Sequence, residues 1–192
     1  MLRQILMGMA AGAAGTAALN VATYLDMAIR GRPSSDVPAR AAGKIAAGIG
    51  IPIDAGNASG DGELREKQKQ RAQNRTQGLG GLLGYVAGLG VGSMYGLVRP
   101  SLGALPLPLA AVGLGAAAMV AGDLPPVSLG VTNPREWGVT GWLADVAPHC
   151  AYGLLAAVAY EAFTGGELSR RSTSGPSWAV AAARHSARRL RD

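Results

Sequence analysis

Four long apolar stretches, separated by polar segments, dominate the pattern of residues along the chain. They cover residues 5–29, 79–98, 103–122 and 142–163. Because an α-helix rises about 1.5 Å per residue, about 20 apolar residues cross the roughly 30 Å hydrocarbon core of a bilayer. The pattern therefore predicts an all-α fold, a polytopic bundle of four transmembrane helices in a membrane domain over residues 1–166.

The first stretch has a second interpretation. Arg3 precedes it, and a basic residue before an apolar run is typical of a secretory signal peptide. The stretch is rich in glycine and longer than the usual apolar core of such peptides. We therefore interpret it as the first span.

A connection over residues 30–77 separates the first two spans. Ser35 and Asp36 can cap the start of a helix, and Pro38 is tolerated in its first turn. Apolar residues then recur at intervals of four, at Val37, Ala41, Ile45 and Ile49. This spacing predicts a short amphipathic helix lying along the membrane surface. From Glu63 to Gln77 the chain is almost wholly polar, which predicts a solvated helix leading into the second span.

The second span has a glycine at every fourth position. These glycines are Gly80, Gly84, Gly88, Gly92 and Gly96. Residues four apart lie on one side of a helix, and a side without side chains lets another membrane helix approach closely. Gly8 and Gly12 of the first span form the expected partner surface. The packing predicted here is internal, between copies of the chain, or against a larger complex.

The composition agrees with a membrane bundle. The chain has 29 glycines, 48% hydrophobic residues and 5% aromatic residues, so much of its apolar content comes from small side chains. Such residues bury little area in a water-soluble core but suit close helix packing in lipid. The single cysteine, Cys150, excludes an intramolecular disulfide. No nucleotide, zinc or nucleophile motif is present, so we expect no enzymatic activity, no cofactor and no metal.

The net charge of +6 is carried mainly by two polar regions outside the spans, the 30–77 connection and a basic tail over residues 167–192. Basic residues beside apolar spans reflect orientation and attraction to anionic lipids. Nucleic acid is an unlikely partner because no aromatic residues interleave with the basic run at 65–75. The basic residues of the connection favour a cytoplasmic position for the connection, whereas those of the tail favour a cytoplasmic position for the tail on the other side. The orientation of the chain in the membrane therefore stays open. Residues Trp178 to Leu190 fit either a lipid-surface helix or a disordered tail.

Four ionisable residues form a candidate ion or proton site. In a four-span bundle Asp26, Asp123, Asp145 and His149 all lie toward one membrane face, and the last two are one helical turn apart. Carboxylates and imidazoles inside membranes often bind ions or relay protons. The alternative is that these groups only reach headgroups from the span ends. Neighbouring arginines can then pair with them, namely Arg30, Arg32 and Arg135.

Three segments resemble small uncharacterised bacterial inner-membrane proteins of the YagU-like kind. They are the Gly/Ala-rich first span, the stretch Pro33 to Pro38, and the sequence Pro148-His149-Cys150-Ala151-Tyr152-Gly153. Together they cover about a third of the chain. The resemblance implies a multi-pass protein of the bacterial plasma membrane and no particular activity.

We therefore predict a non-enzymatic membrane protein that is a structural or complex-associated subunit, packing through its glycine-zipper helix. The expected partners are the bilayer with its anionic lipids and a second copy or another membrane protein. One alternative is a small ion or proton transporter that uses the acidic residues and His149. Another is a membrane-surface scaffold that acts through the basic regions.

Overall fold

A computed structural model describes residues 1–51, 53 and 62–165. Five α-helices follow one another in this part of the chain: α1 (Leu2–Arg30), α2 (Val37–Gly48), α3 (Gly62–Val98), α4 (Leu107–Ser128) and α5 (Gly138–Phe163). Short 3-10 helices occupy Arg99–Ser101 and Pro134–Glu136, and the described residues contain no strand. The predicted all-α class is confirmed. The predictions for the tail over 167–192 lie outside the described residues.

Four of the helices, α1, α3, α4 and α5, are long and apolar enough to cross a membrane. Large apolar side chains on their outer faces are exposed, as expected where a helix borders lipid rather than water. Examples are Val21, Leu25, Leu82, Val86, Val112, Val120, Leu143 and Leu154. The chain is thus a multi-pass integral membrane protein, and no second hydrophobic layer is needed to cover these side chains.

The four spans alternate in direction. Helix α1 packs antiparallel against both α3 and α5, and α4 packs antiparallel against α5. One end of the bundle therefore holds the α3–α4 turn, and we call it the turn end. The opposite end holds α2, the end of α4 and the start of α5, and we call it the α2 end.

Two tyrosines of α5 fill the centre of the bundle. Tyr152 and Tyr160 are both fully buried, at 0% exposure. The Tyr152 hydroxyl donates a 2.6 Å hydrogen bond to the carbonyl of Gly88, and the Tyr160 hydroxyl donates a 3.3 Å bond to that of Gly96. Buried tyrosine hydroxyls usually find such an acceptor. The tyrosines therefore connect α5 to α3 across the bundle.

Helix α2 forms where the capping signals predict it, but its apolar face packs on protein. Ala41, Ala42 and Ala46 are buried, and the helix runs antiparallel along α3 beside Thr76 and Gly80. The Lys44 Nζ donates a 2.7 Å hydrogen bond to the carbonyl of Leu129, beyond the end of α4. The small alanine side chains allow α2 to pack closely against α3. Together with the Lys44 hydrogen bond, this packing holds α2 on the bundle.

Helix α4 begins and ends later than its sequence predicts. It starts at Leu107 rather than Gly103, and it continues through Pro125 and Pro126 to Ser128, beyond the predicted end of the span at residue 122. The last turn survives because proline carbonyls still accept hydrogen bonds. Leu129 N donates to Pro125 O at 3.0 Å, and Val131 N donates to Pro126 O at 2.8 Å.

Candidate functional site

The α1–α3 contact is made by glycines on both helices. A Cβ added at Gly92 would lie 2.6 Å from the Cα of Gly12, and one added at Gly12 would lie 2.5 Å from the carbonyl oxygen of Gly88. A Cβ at Gly8 would come within 2.9 Å of the Cα of Gly96. The two backbones therefore touch along this seam, with no space for a side chain at Gly8, Gly12 or Gly92. This close approach is the one that small residues permit between membrane helices.

The other two glycines of the series do not join this seam. A Cβ at Gly80 would lie 2.7 Å from the carbonyl carbon of Pro38 in α2, while Gly84 has no atom within 4 Å of such a Cβ. The reason is helical geometry: each step of four residues turns by about 40° beyond a full turn. The series therefore winds around α3, so that its start faces α2 and its end faces α1.

Three further glycines make equally close contacts that their positions in the sequence do not predict. A Cβ at Gly153 of α5 would lie 2.5 Å from the backbone nitrogen of Gly115 in α4, and one at Gly115 would lie 2.8 Å from the carbonyl oxygen of His149. Gly15 of α1 faces the ring of Tyr152. No regular spacing marks these positions in the sequence. Their role depends on which helices are neighbours.

The structure brings together three of the four candidate ionisable residues. His149 and Asp145 lie one turn apart on α5, with His149 Nδ1 at 2.8 Å from the Asp145 carbonyl oxygen and 3.3 Å from its Oδ1. Asp123 of α4 interacts with both side chains. The side chains of His149 and Asp145 are only 14% and 19% exposed. We call these three residues the Asp–His cluster, and it lies toward the α2 end.

One oxygen of the cluster has no hydrogen-bond donor among the described residues. Asp145 Oδ2 is buried, and no donor in the described part of the chain reaches it. Buried polar atoms in folded proteins nearly always have a partner, and an unpaired carboxylate oxygen is costly. The cluster thus has two carboxyl groups close together and one oxygen atom available to a small positively charged species.

Asp26 lies outside this cluster. It accepts hydrogen bonds from Arg30, at 2.5 Å, and from Arg32, so its carboxylate is already neutralised. Gly31 between the two arginines ends α1 in the left-handed conformation, with a φ of 63°, which turns the chain so that Arg32 reaches Asp26 as well. Asp26 therefore stabilises the end of α1 through its two arginine partners.

A second ionic group lies at the turn end and was not anticipated. Arg99, only 3% exposed, forms a 2.8 Å ion pair with Glu161 of α5. It also donates a 2.8 Å hydrogen bond to the carbonyl of Gly103. The sequence places Arg99 in a turn between spans, and nothing in its spacing shows that a carboxylate 62 residues later faces it. Arg99 thus joins the α3–α4 turn to the last span.

The space between the two ionic groups is densely packed. Tyr152, Ala156 and Tyr160 of α5 are each 0% exposed and occupy the bundle centre between His149 and Glu161. The described residues also contain no group of three or more His, Cys, Asp or Glu side chains arranged to hold a metal ion. Cys150, beside His149, is exposed.

These observations define the class: a polytopic helical membrane protein with an internal glycine seam and two embedded ionic groups. Comparison of the chain with models of protein families, with curated proteins and with solved structures gives no match. The likeness to YagU-like proteins stays a prediction from the three segments that carry it.

Proposed function

We propose that the protein is a non-enzymatic protein of the bacterial plasma membrane that binds and releases a proton at the Asp–His cluster. The glycine seam between α1 and α3 is the rigid element that supports this site. It fixes Gly88, whose carbonyl anchors Tyr152, one turn beyond His149 on α5. Rigid elements around an ionisable site keep its groups at a constant separation.

The unpaired Asp145 Oδ2 is the observation that carries this proposal. A proton placed between the Asp123 and Asp145 carboxyl groups supplies the missing donor and removes one of two neighbouring negative charges. A calcium ion, in contrast, takes roughly six to eight oxygen ligands. Two carboxyl groups and an imidazole do not provide that many. His149 is the natural exchange partner because imidazole both donates and accepts protons.

The dense packing beyond the cluster favours exchange with one side of the membrane. Tyr152 and Ala156 are fully buried directly past His149, and the Tyr152 hydroxyl donates its hydrogen bond to the Gly88 carbonyl, which has no proton to pass on. In this conformation the cluster therefore serves as a proton-binding site near the α2 end. Transport across the membrane would require a second conformation.

We expect Asp145→Asn to abolish the infrared signal of a protonated buried carboxyl group. The full-length protein in liposomes would be titrated with acid while carboxyl absorption is followed, because this absorption separates protonated from ionised groups. Asp36→Asn is the matched control, since the Asp36 side chain is 74% exposed and lies outside the cluster.

The proposal requires a carboxyl signal that Asp123→Asn and Asp145→Asn remove and Asp36→Asn leaves in place. Identical titrations for the wild type and both cluster variants would refute it. Vesicles loaded with a pH indicator distinguish the transporter alternative, because a proton flux that Asp145→Asn eliminates would show conduction across the membrane rather than binding at one side.

A structural or complex-associated role is the second candidate, and the uncovered glycines of α3 favour it. Gly81 and Gly84 are exposed, with open space where a side chain would project. A second helix could approach the backbone of α3 closely beside these two glycines, because they have no side chains to keep it away. The internal seam occupies Gly88, Gly92 and Gly96, so an interface with another chain would use Gly84 instead.

For this second role, Gly84→Leu should lower the native mass of the purified protein while leaving its helix content and thermal unfolding unchanged. Gly90→Leu is the matched control, because Gly90 also has open space but lies about 120° away around the helix. The measurement is native mass spectrometry in mild detergent. A wild-type protein that is monomeric under these conditions would dismiss glycine-mediated assembly at this surface.

A further inference from the structure

The polar start of α3 is a charged surface that neither the glycine seam nor the Asp–His cluster uses. Helix α3 is continuous from Gly62 to Val98, although its apolar part begins only near Leu79. The segment from Glu63 to Gln77 has five basic residues and two acidic ones. It therefore projects from the α2 end of the bundle as a positively charged helix.

Two arginines of this segment form no ion pair with any carboxylate of the described residues. Lys67 pairs with Glu63 at 2.5 Å and Lys69 with Glu66 at 3.9 Å, so the two acidic residues are already engaged. Within the described part of the chain, no carboxylate forms an ion pair with Arg71 or Arg75. Both are exposed, and they lie one turn apart on the same side of the helix.

The side that holds these arginines differs from the side that contacts α2. Thr76 faces Gly43 of α2. With about 100° per residue, Arg75 lies about 100° and Arg71 about 140° from Thr76 around the helix, both in the same direction. Helix α2 therefore leaves the arginine pair uncovered.

The height of the pair above the apolar span matches the headgroup layer. Arg75 is four residues before Leu79, which corresponds to about 6 Å along the axis, and Arg71 is about 12 Å away. The headgroup region of each leaflet is roughly 5–8 Å thick. Arg75 therefore lies at headgroup level, and Arg71 lies within the roughly 8–10 Å over which charges act at physiological salt.

We propose that Arg71 and Arg75 bind the phosphate groups of anionic phospholipids in the leaflet at the α2 end. Guanidinium groups bind phosphate oxygens through paired hydrogen bonds, and the excess of positive charge on this segment complements an anionic surface. Through this contact the lipid holds the projecting helix α3 beside the headgroups. Anionic lipid thus binds this surface specifically and is more than part of the bulk bilayer around the bundle.

The double variant Arg71→Gln/Arg75→Gln tests this assignment. Each basic residue near a membrane surface strengthens binding about fivefold, so we expect the double variant to bind phosphatidylglycerol about 10- to 30-fold more weakly. Binding of phosphatidylcholine should not change. The measurement is native mass spectrometry of the full chain in neutral detergent, titrated with each lipid in turn.

The matched control is Lys67→Gln/Lys69→Gln, which removes the same charge from the same helix. These lysines are paired and lie farther from the span, so phosphatidylglycerol affinity should fall less than about threefold. Glutamine is a good helix former, and circular dichroism confirms that both variants keep their helices. Equal losses in both double variants, or no loss in the arginine variant, would overturn the proposal.

Two further results would also count against it. Displacement of phosphatidylglycerol by millimolar inorganic phosphate would show that the site recognises free phosphate. Unchanged lipid binding, together with loss of a co-purifying acidic protein in the arginine variant, would assign the surface to a protein partner instead.

Discussion

Replacing Gly92 with alanine should destabilise the folded protein by about 1–3 kcal/mol, the usual range for forcing an extra group into a filled contact. The new Cβ would lie 2.6 Å from the Cα of Gly12, and both atoms belong to helix backbones that cannot rotate away. Helices α1 and α3 would have to separate along the whole seam. Gly92→Leu should prevent the bundle from forming. The measurement is unfolding in detergent, followed by circular dichroism.

Gly90→Ala provides the control for this prediction. Gly90 lies on the same helix two residues earlier, is exposed, and has no atom within 4 Å of an added Cβ. Alanine there should leave stability unchanged or raise it by up to about 1 kcal/mol, because alanine favours helix more than glycine does. If the two alanine variants had the same stability, the seam would not be a close backbone contact.

Replacing Arg99 with glutamine should cost about 3 kcal/mol or more, because it leaves the partly buried Glu161 without its positive partner. It also removes the donor to the Gly103 carbonyl, which holds the α3–α4 turn. Arg99→Lys should recover only part of the loss, since an ammonium group lacks the planar fork that reaches several acceptors. Thermal unfolding in detergent measures both effects.

A double-mutant cycle separates the ion pair from simple loss of packing. Arg99→Gln/Glu161→Gln should be more stable than the Arg99 variant alone, because two neutral amides can hydrogen-bond without an isolated charge. Arg135→Gln is an exposed control and should change stability by less than about 0.5 kcal/mol. A single Arg99 variant as stable as the Arg135 variant would show that this pair contributes nothing.

The frame of the protein and its chemistry depend on different residues. The glycine seam and the Arg99–Glu161 pair should determine whether the bundle forms. The Asp–His cluster should determine what the folded bundle binds. A variant of the cluster that folds normally but no longer takes up a proton would therefore place the function at the α2 end.

The sequence by itself determined the class of the fold and the number of spans. Apolar stretches of about 20 residues cannot remain in water, and a backbone in lipid must form its own hydrogen bonds, so a helical bundle is the only outcome for four such stretches. The short helix α2 was also predictable, because Ser35, Asp36 and Pro38 give local signals that need no distant partner.

The sequence determined the glycine series but not its partners. Residues four apart share a helix side over one or two steps, and five of them rotate by about 160° in total. Whether a given glycine then faces α2, α1 or open space depends on where those helices lie. Gly84 is open and Gly92 is enclosed, although both belong to one unbroken series.

Only the tertiary structure decided which charged groups meet. Topology places Asp26, Asp123, Asp145 and His149 toward one face, yet Asp26 pairs with its own neighbours, Arg30 and Arg32. Rotation of each helix about its axis determines which side chains face each other, and packing against neighbours sets that rotation. For the same reason the pairing of Arg99 with Glu161 is invisible in the sequence, because two charges far apart along the chain meet only when α3 and α5 share a bundle.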